Sequence, residues 1–104
     1  MSLLGRMFGS GTTVDKIRKA FSRNDWAEVL LLAERPDGSL SAADQALIDE
    51  MTATAGNRLA QINLEHGEAC LRGDDFDRAR EHFELATSHA RDIDLQQAAR
   101  ELLG

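Results

Sequence analysis

The chain has 104 residues, of which 42% are hydrophobic and 29% are charged, with one proline and no tyrosine. Abundant Ala, Leu, Glu, Arg and Gln predict an all-α fold, and the single cysteine excludes an internal disulfide. A net charge of -6 argues against nucleic acid as a partner, and no apolar run approaches the roughly 20 residues of a membrane span. We therefore expect a cytoplasmic helical protein.

Residues 1–12 are predicted to form a flexible segment ahead of a helical domain at 13–104. The apolar side chains of this segment have the spacing of one amphipathic turn, and glycine and serine follow them. Residues 1–24 also hold five basic residues against one acidic residue. The segment and the basic first helix therefore favour an alternative function, a peripheral membrane or assembly adaptor on anionic lipid. The apolar side chains are Leu3, Leu4, Met7 and Phe8.

Two short helices open the helical domain. The first begins after Thr12 or Thr13, where the residues have the spacing of a capping box, and it stops near Arg23. The second covers 26–34, follows two polar capping residues and starts with Trp26, which is predicted to pack in the core. It is so apolar that most of its circumference should be covered. A proline and glycine turn at 36–39 ends it.

A long third helix is predicted from Ser41 to Arg72. Its apolar and small residues recur in steps of three and four and keep their phase across Gly56. We predict one continuous helix, although glycine weakens a helix by about 1 kcal/mol relative to alanine. A fourth helix spans roughly 75–90, and a fifth runs from about 94 to 103.

Residues 65–86 read as two amphipathic helices joined by a tight polar turn at Gly73. Small side chains stand where the helices must touch, and larger ones are predicted to fill the space between them. The small residues are Gly67, Ala79 and Ala86, and the larger ones are Cys70, Phe76 and Phe83.

An internal echo relates this hairpin to the one at 14–35. When the two hairpins are aligned, each has two polar capping residues followed by an aromatic residue at the same positions. The two hairpins are therefore predicted to be variants of one unit that share a stacked core. The aligned residues are Asn24, Asp25 and Trp26 over Asp74, Asp75 and Phe76.

Residues 60–93 resemble a tetratricopeptide repeat (TPR), a helix-turn-helix unit of about 34 residues. Gly67 lies at the family's tight-packing glycine, and Ala79, Phe83 and Ala86 match the small and large places of the second helix. Asn63 and His66 depart from the pattern, because the family has tryptophan and leucine there. The hairpin at 14–35 is a degenerate copy, so the resemblance implies about five helices in TPR-like antiparallel hairpins.

The resemblance implies a non-enzymatic scaffold that binds a protein or peptide partner in a groove lined by the first helix of each hairpin. Apolar surface beyond what these hairpins cover favours a homo-oligomer, such as a dimer, or further repeats in a longer protein. We expect no cofactor. We expect contact with a membrane only under the alternative function, the peripheral membrane or assembly adaptor. The groove residues carried over from the family are Arg18, Phe21, Gln61, Leu64, Glu68 and Leu71.

Histidine and cysteine are the side chains of this sequence whose chemistry suits a zinc ion. His66 and Cys70 share a helix face, and His82 and His89 follow on the next helix, but they lack the CxxC or HExxH spacing of zinc sites. No base stands beside Cys70 in sequence. We therefore predict no metal site and no catalytic residue, with the histidines in interhelical or surface contacts.

Overall fold

The computed structural model describes residues 13–36, 38 and 40–104. Within these residues the chain forms five α-helices and no strand, which confirms the all-α prediction. None of the described helices is long and apolar enough to cross a membrane. The segment 1–12 and the Thr12 end of the predicted capping box lie outside the described residues. The helices are α1 (Thr13–Ser22), α2 (Trp26–Glu34), α3 (Ala42–Arg72), α4 (Phe76–His89) and α5 (Ile93–Leu103).

The chain divides into two compact units. The first unit ends at Ala55, and the second comprises Gly56–Gly104. Helix α3 contributes residues 42–55 to the first unit and 56–72 to the second. The grouping of residues 13–104 into one TPR-like domain stays a prediction.

The core of the first unit lies among α1, α2 and the first part of α3. Ile17 and Val29 are its largest fully enclosed side chains. Phe21 and Trp26 pack against this core, and their rings meet edge to face with centroids 5.3 Å apart. Trp26 therefore has the core-packing role that its position predicted. The buried cluster consists of Val14, Ile17, Ala20, Val29, Ile48, Met51 and Ala55.

Helix α2 is less covered than its composition predicted. Val29 is its buried residue, whereas the side chain of Leu31 is 62% exposed. A short helix that contacts its neighbours on one side leaves its other side open, and this explains why hydrophobicity alone overstated its burial. Helix α2 thus carries exposed apolar surface in the described part of the first unit.

Helix α3 runs without a break through Gly56, as the phase of its apolar pattern predicted. The Oγ atom of Ser41 accepts the Asp44 N–H at 3.1 Å and so caps the first turn. A Cβ atom at Gly56 would lie 2.5 Å from the backbone oxygen of His89 and 3.0 Å from Cγ of Arg91. Glycine is therefore present in mid-helix because the end of α4 approaches the α3 backbone closely.

The crossing of α3 and α4 in the second unit is formed by Gly67 and Phe83. Both residues are buried, and Phe83 is 2% exposed. A Cβ atom at Gly67 would lie 2.7 Å from Cδ1 and 3.0 Å from Cζ of the Phe83 ring. The predicted contact between this backbone carbon and this ring is confirmed. Beside it, Leu64 and Leu95 pack on a buried cluster of Ala60, Ala86, Ala90 and Ala99.

Two of the residues predicted to fill the space between α3 and α4 do not lie deep in it. Phe76 is 63% exposed, so the prediction that it fills the hairpin is wrong. It is the first residue of α4 and stands seven residues before Phe83, about 10 Å away along the helix axis. Cys70 is a free thiol and only half-buried. The ring of Phe83 supplies the volume at the crossing.

Phe83→Ala should lower the free energy of unfolding by about 3 to 5 kcal/mol, because it leaves a ring-sized void beside Gly67. Urea unfolding followed by circular dichroism measures this loss. Ile93→Ala is the control outside the crossing, and its loss should stay below about 1 kcal/mol because that side chain is 77% exposed. A loss below about 1 kcal/mol for Phe83→Ala would contradict the described packing.

Gly56→Ala should destabilise the chain, although helix propensity alone favours alanine by about 1 kcal/mol. The added methyl group would meet the His89 backbone oxygen, which a side-chain rotation cannot move away. Thermal unfolding gives the sign of the effect. Gly73→Ala is the control, since a Cβ atom there would lie 3.7 Å from its nearest neighbour. A raised melting temperature for Gly56→Ala would contradict the close approach.

Candidate functional site

The α1–α2 and α3–α4 turns have the same backbone geometry. Asn24 and Asp74 adopt φ angles of 59° and 61°, in the left-handed region that Asn and Asp tolerate better than most residues. The next residues, Asp25 and Asp75, cap α2 and α4 by accepting an N–H three residues ahead at 3.4 Å. Their own N–H groups donate to carbonyls five residues back, at 2.9 and 2.8 Å. The predicted equivalence of these two turns is confirmed.

The groove residues predicted in the first unit differ in exposure. Arg18 lies exposed on α1, together with the exposed Lys16 and Lys19. Phe21 is half-buried and packs against Trp26 and the core. Of this pair, Arg18 is the side chain that α1 presents to solvent, while most of Phe21 serves the packing of the unit.

The groove residues predicted in the second unit lie along α3 but have different surroundings. Gln61 and Glu68 are exposed, whereas Leu64 is half-buried against the alanine cluster. Gln61 borders one cleft and Leu71 borders another. The four residues therefore lie on one helix but do not line one groove. In chain order they border the polar cleft, pack on the core, face solvent and border the apolar cleft.

The polar cleft lies between α3 and the start of α5 and has a volume of about 390 Å³. The Oδ1 atom of Asn57 accepts the N–H groups of Arg91 and Asp92 at 2.8 and 2.9 Å. The Asp92 carboxylate in turn caps α5 by accepting the N–H groups of Asp94 and Leu95. These polar groups hold the α4–α5 connection on α3. The cleft is lined by Asn57, Gln61, Asp92, Asp94, Leu95 and Ala98.

Sequence reasoning considered Gly56 only for its effect on the continuity of the helix and assigned no role to Asn57. The hydrogen-bond partners of Asn57 lie 34 and 35 residues further along the chain. The sequence did contain a signal for this contact. A glycine lies next to an asparagine inside a helical pattern, and the asparagine oxygen can accept two N–H groups. This pair indicates a site where a connecting loop approaches the helix.

The apolar cleft lies where the α3–α4 turn meets the end of α5, and its volume is about 150 Å³. Phe76 is its most exposed ring, and Leu102 is 41% exposed. Arg80 is the one charged residue among those that line it. Exposed large apolar side chains that line one depression are typical of interaction sites. The cleft is lined by Leu71, Phe76, Ala79, Arg80, Phe83, Leu102 and Leu103.

Two histidines of the second unit face each other between α3 and α4. The rings of His66 and His82 meet edge to face with centroids 5.3 Å apart. Asn63 Nδ2 donates to the Leu59 carbonyl at 2.9 Å, so its Oδ1 atom accepts a hydrogen bond from the Nδ1–H group of His82, also at 2.9 Å. The prediction of an interhelical contact is confirmed for this pair. Within the described ranges, no three His, Cys, Asp or Glu side chains are arranged to hold a metal ion.

The hairpin at 60–93 brings the residues that resemble the tetratricopeptide pattern into contact at Gly67 and Phe83. Asn63 and His66, which stand where the family has large apolar residues, take part in the polar contacts with His82. Comparison of the chain with models of protein families, with curated proteins and with solved structures finds no match. Membership of the tetratricopeptide family stays a prediction.

His89 should make the stability of the chain depend on pH. Burial, and then the charge of Arg91, lower the pKa of His89 below its ordinary value of 6.5. The unfolded chain therefore binds a proton more readily than the folded chain, and the free energy of unfolding should fall as the pH drops below about 6.5.

His89→Gln should reduce this loss of stability between about pH 7.5 and about pH 5.5. Urea unfolding of both chains at each pH measures the difference. Arg91→Gln should reduce the loss only in part, because burial is the larger cause of the lowered pKa. An unchanged pH dependence in His89→Gln would contradict the assignment.

Proposed function

We propose that the chain is a non-enzymatic protein-interaction module built from TPR-like hairpins and that it binds a protein or peptide partner. The apolar cleft of the second unit carries the proposal. It combines an exposed ring at Phe76 with exposed aliphatic side chains at Leu71 and Leu102. Leu71 is also one of the groove residues implied by the family resemblance. Exposed aromatic and aliphatic side chains around a depression are the usual anchors of protein interfaces.

The rigid hairpin supports this use of the cleft. The Gly67 and Phe83 contact holds α3 and α4 together, and the turn with Asp74 and Asp75 is tied by backbone hydrogen bonds. Leu71 and Phe76 stand on either side of that turn. Binding would therefore order few side chains, which lowers the entropic cost of association.

The chemistry of the lining favours an apolar side chain in the partner. Most lining residues are Leu, Ala and Phe, and Arg80 offers a cation at the border. A carboxylate next to the partner's apolar side chain would pair with Arg80. The polar side chains of the other cleft have a structural role, because the side-chain oxygens of Asn57 and Asp92 accept hydrogen bonds from backbone N–H groups.

The experiment is selection of displayed random peptides on the immobilised full chain. We expect enrichment of peptides with large apolar residues, and loss of that enrichment on Phe76→Ser. Ile93→Ser is the matched control, since Ile93 is 77% exposed and does not line the cleft. Equal enrichment on wild type and Phe76→Ser, or no enrichment on wild type, would contradict the proposal.

The second candidate function is an adaptor on an anionic membrane surface. Helix α1 buries Val14 and Ile17 and exposes Lys16, Arg18 and Lys19, so its open side is basic. The apolar segment that this function also needs lies outside the described residues. Sedimentation with anionic and with zwitterionic vesicles tests it. Salt-sensitive binding to the anionic vesicles alone, lost on removal of residues 1–12, is the expected result.

A further inference from the structure

The apolar cleft of the second unit corresponds to a covered place in the first unit. In the alignment that superposes the two turns in sequence, Leu71 and Phe76 match Phe21 and Trp26. In the first unit these rings touch each other, are half-buried and pack on the core. In the second unit the matching ring of Phe76 is mostly exposed. The aromatic side chains at this position are therefore partly covered in the first unit, whereas the matching ring is exposed to solvent in the second.

The helix that follows each hairpin also differs in burial at the matching position. Ser41 caps α3 and Asp92 caps α5, so Met51 and Leu102 stand at the same distance from their caps. Met51 is 7% exposed, whereas Leu102 is 41% exposed. In the first unit α3 continues past Met51 and brings Ala55, one turn later, into the buried cluster. Helix α5 contributes Leu102 and Leu103 to the lining of the cleft.

We propose that a second copy of this chain covers the apolar cleft, with Phe76 of each copy entering the cleft of the other about a two-fold axis. A cavity of about 150 Å³ accommodates one benzene-sized ring, and the cleft has this volume. Phe76 is the most exposed aromatic side chain among the described residues. A protruding ring and a cavity on one surface make that surface self-complementary, as a two-fold interface requires.

The charge around the cleft permits two copies to meet. The chain carries a net charge of -6, so two copies repel each other at long range. Between Leu71 and Arg80, however, three arginines and three aspartates balance. This stretch surrounds Phe76, so in a two-fold arrangement a charge-balanced surface of one copy meets the same surface of the other. A net like charge therefore does not oppose the meeting of two copies at this surface.

This inference rests on the proposed function, because it names the partner that the apolar cleft takes. The experiment is light scattering and sedimentation velocity on the purified full chain across a range of concentrations. We expect a reversible dimer whose dissociation constant rises at least about tenfold in Phe76→Ser and in Leu102→Ser. Ile93→Ser is the control with a similarly exposed apolar residue outside the cleft, and it should leave the constant unchanged.

Three outcomes would overturn the inference: a monomer at every concentration, a dimer that Phe76→Ser and Leu102→Ser leave intact, or a dimer weakened by Leu31→Ser instead. Circular dichroism confirms that each variant keeps its helices. A monomer that still selects apolar peptides through Phe76 would refute self-association and leave the proposed function standing. A Phe76-dependent dimer that selects no peptide even below its dissociation constant, where the cleft is uncovered, would refute the binding of other partners and leave self-association standing.

Discussion

The close approach of Gly67 to the Phe83 ring sets the distance between α3 and α4, and the rest of the second unit follows from it. Helices meet at such short range only where one of them lacks a side chain at the contact. The small residues of the neighbouring cluster, Ala86 and Ala90, continue the same close packing along α4. With the helices fixed at this distance, the tight turn holds Leu71 and Phe76 at the turn end of the hairpin.

The two hairpins reach similar packing with their large and small residues exchanged. When the hairpins are aligned on their turns, Ile17 and Ala33 of the first correspond to Gly67 and Phe83 of the second. Ile17 is fully buried and Ala33 packs on its cluster, so the first helix supplies the larger side chain there. In the second hairpin the second helix supplies it. The summed side-chain volume of the two positions is thus similar in both hairpins, and cores tolerate changes that conserve volume best.

Local chemistry made much of the fold predictable from the sequence. Helix bounds follow from capping residues such as Asp25, Ser41 and Asp75, because a cap acts on an N–H only a few residues away. The Gly67 and Phe83 contact was predictable because a small and a large residue stood on facing positions of two helices. The exposure of Phe76 was not predictable, since its place in the pattern matched that of Trp26, which is partly covered.

The candidate site was less predictable, because spacing assigns a residue to a helix face but does not say what packs there. Leu64 had the spacing of a groove residue, yet it covers the alanine cluster together with Leu95 from another helix. The role of Gly56 likewise depends on His89 and Arg91, which lie far from it in sequence, at and just beyond the end of the next helix. Contacts between residues distant in sequence decide both cases, and periodicity does not contain them.

A double-mutant cycle between Gly67→Ala and Phe83→Leu tests the Gly67 and Phe83 contact most directly. Free energies of unfolding are measured for the wild type, the two single variants and the double variant. Because leucine is smaller than phenylalanine and leaves room for the added methyl group, the double variant should lose less stability than the two single losses together, with a coupling of at least about 1 kcal/mol. Losses that add to within about 0.5 kcal/mol would contradict the account.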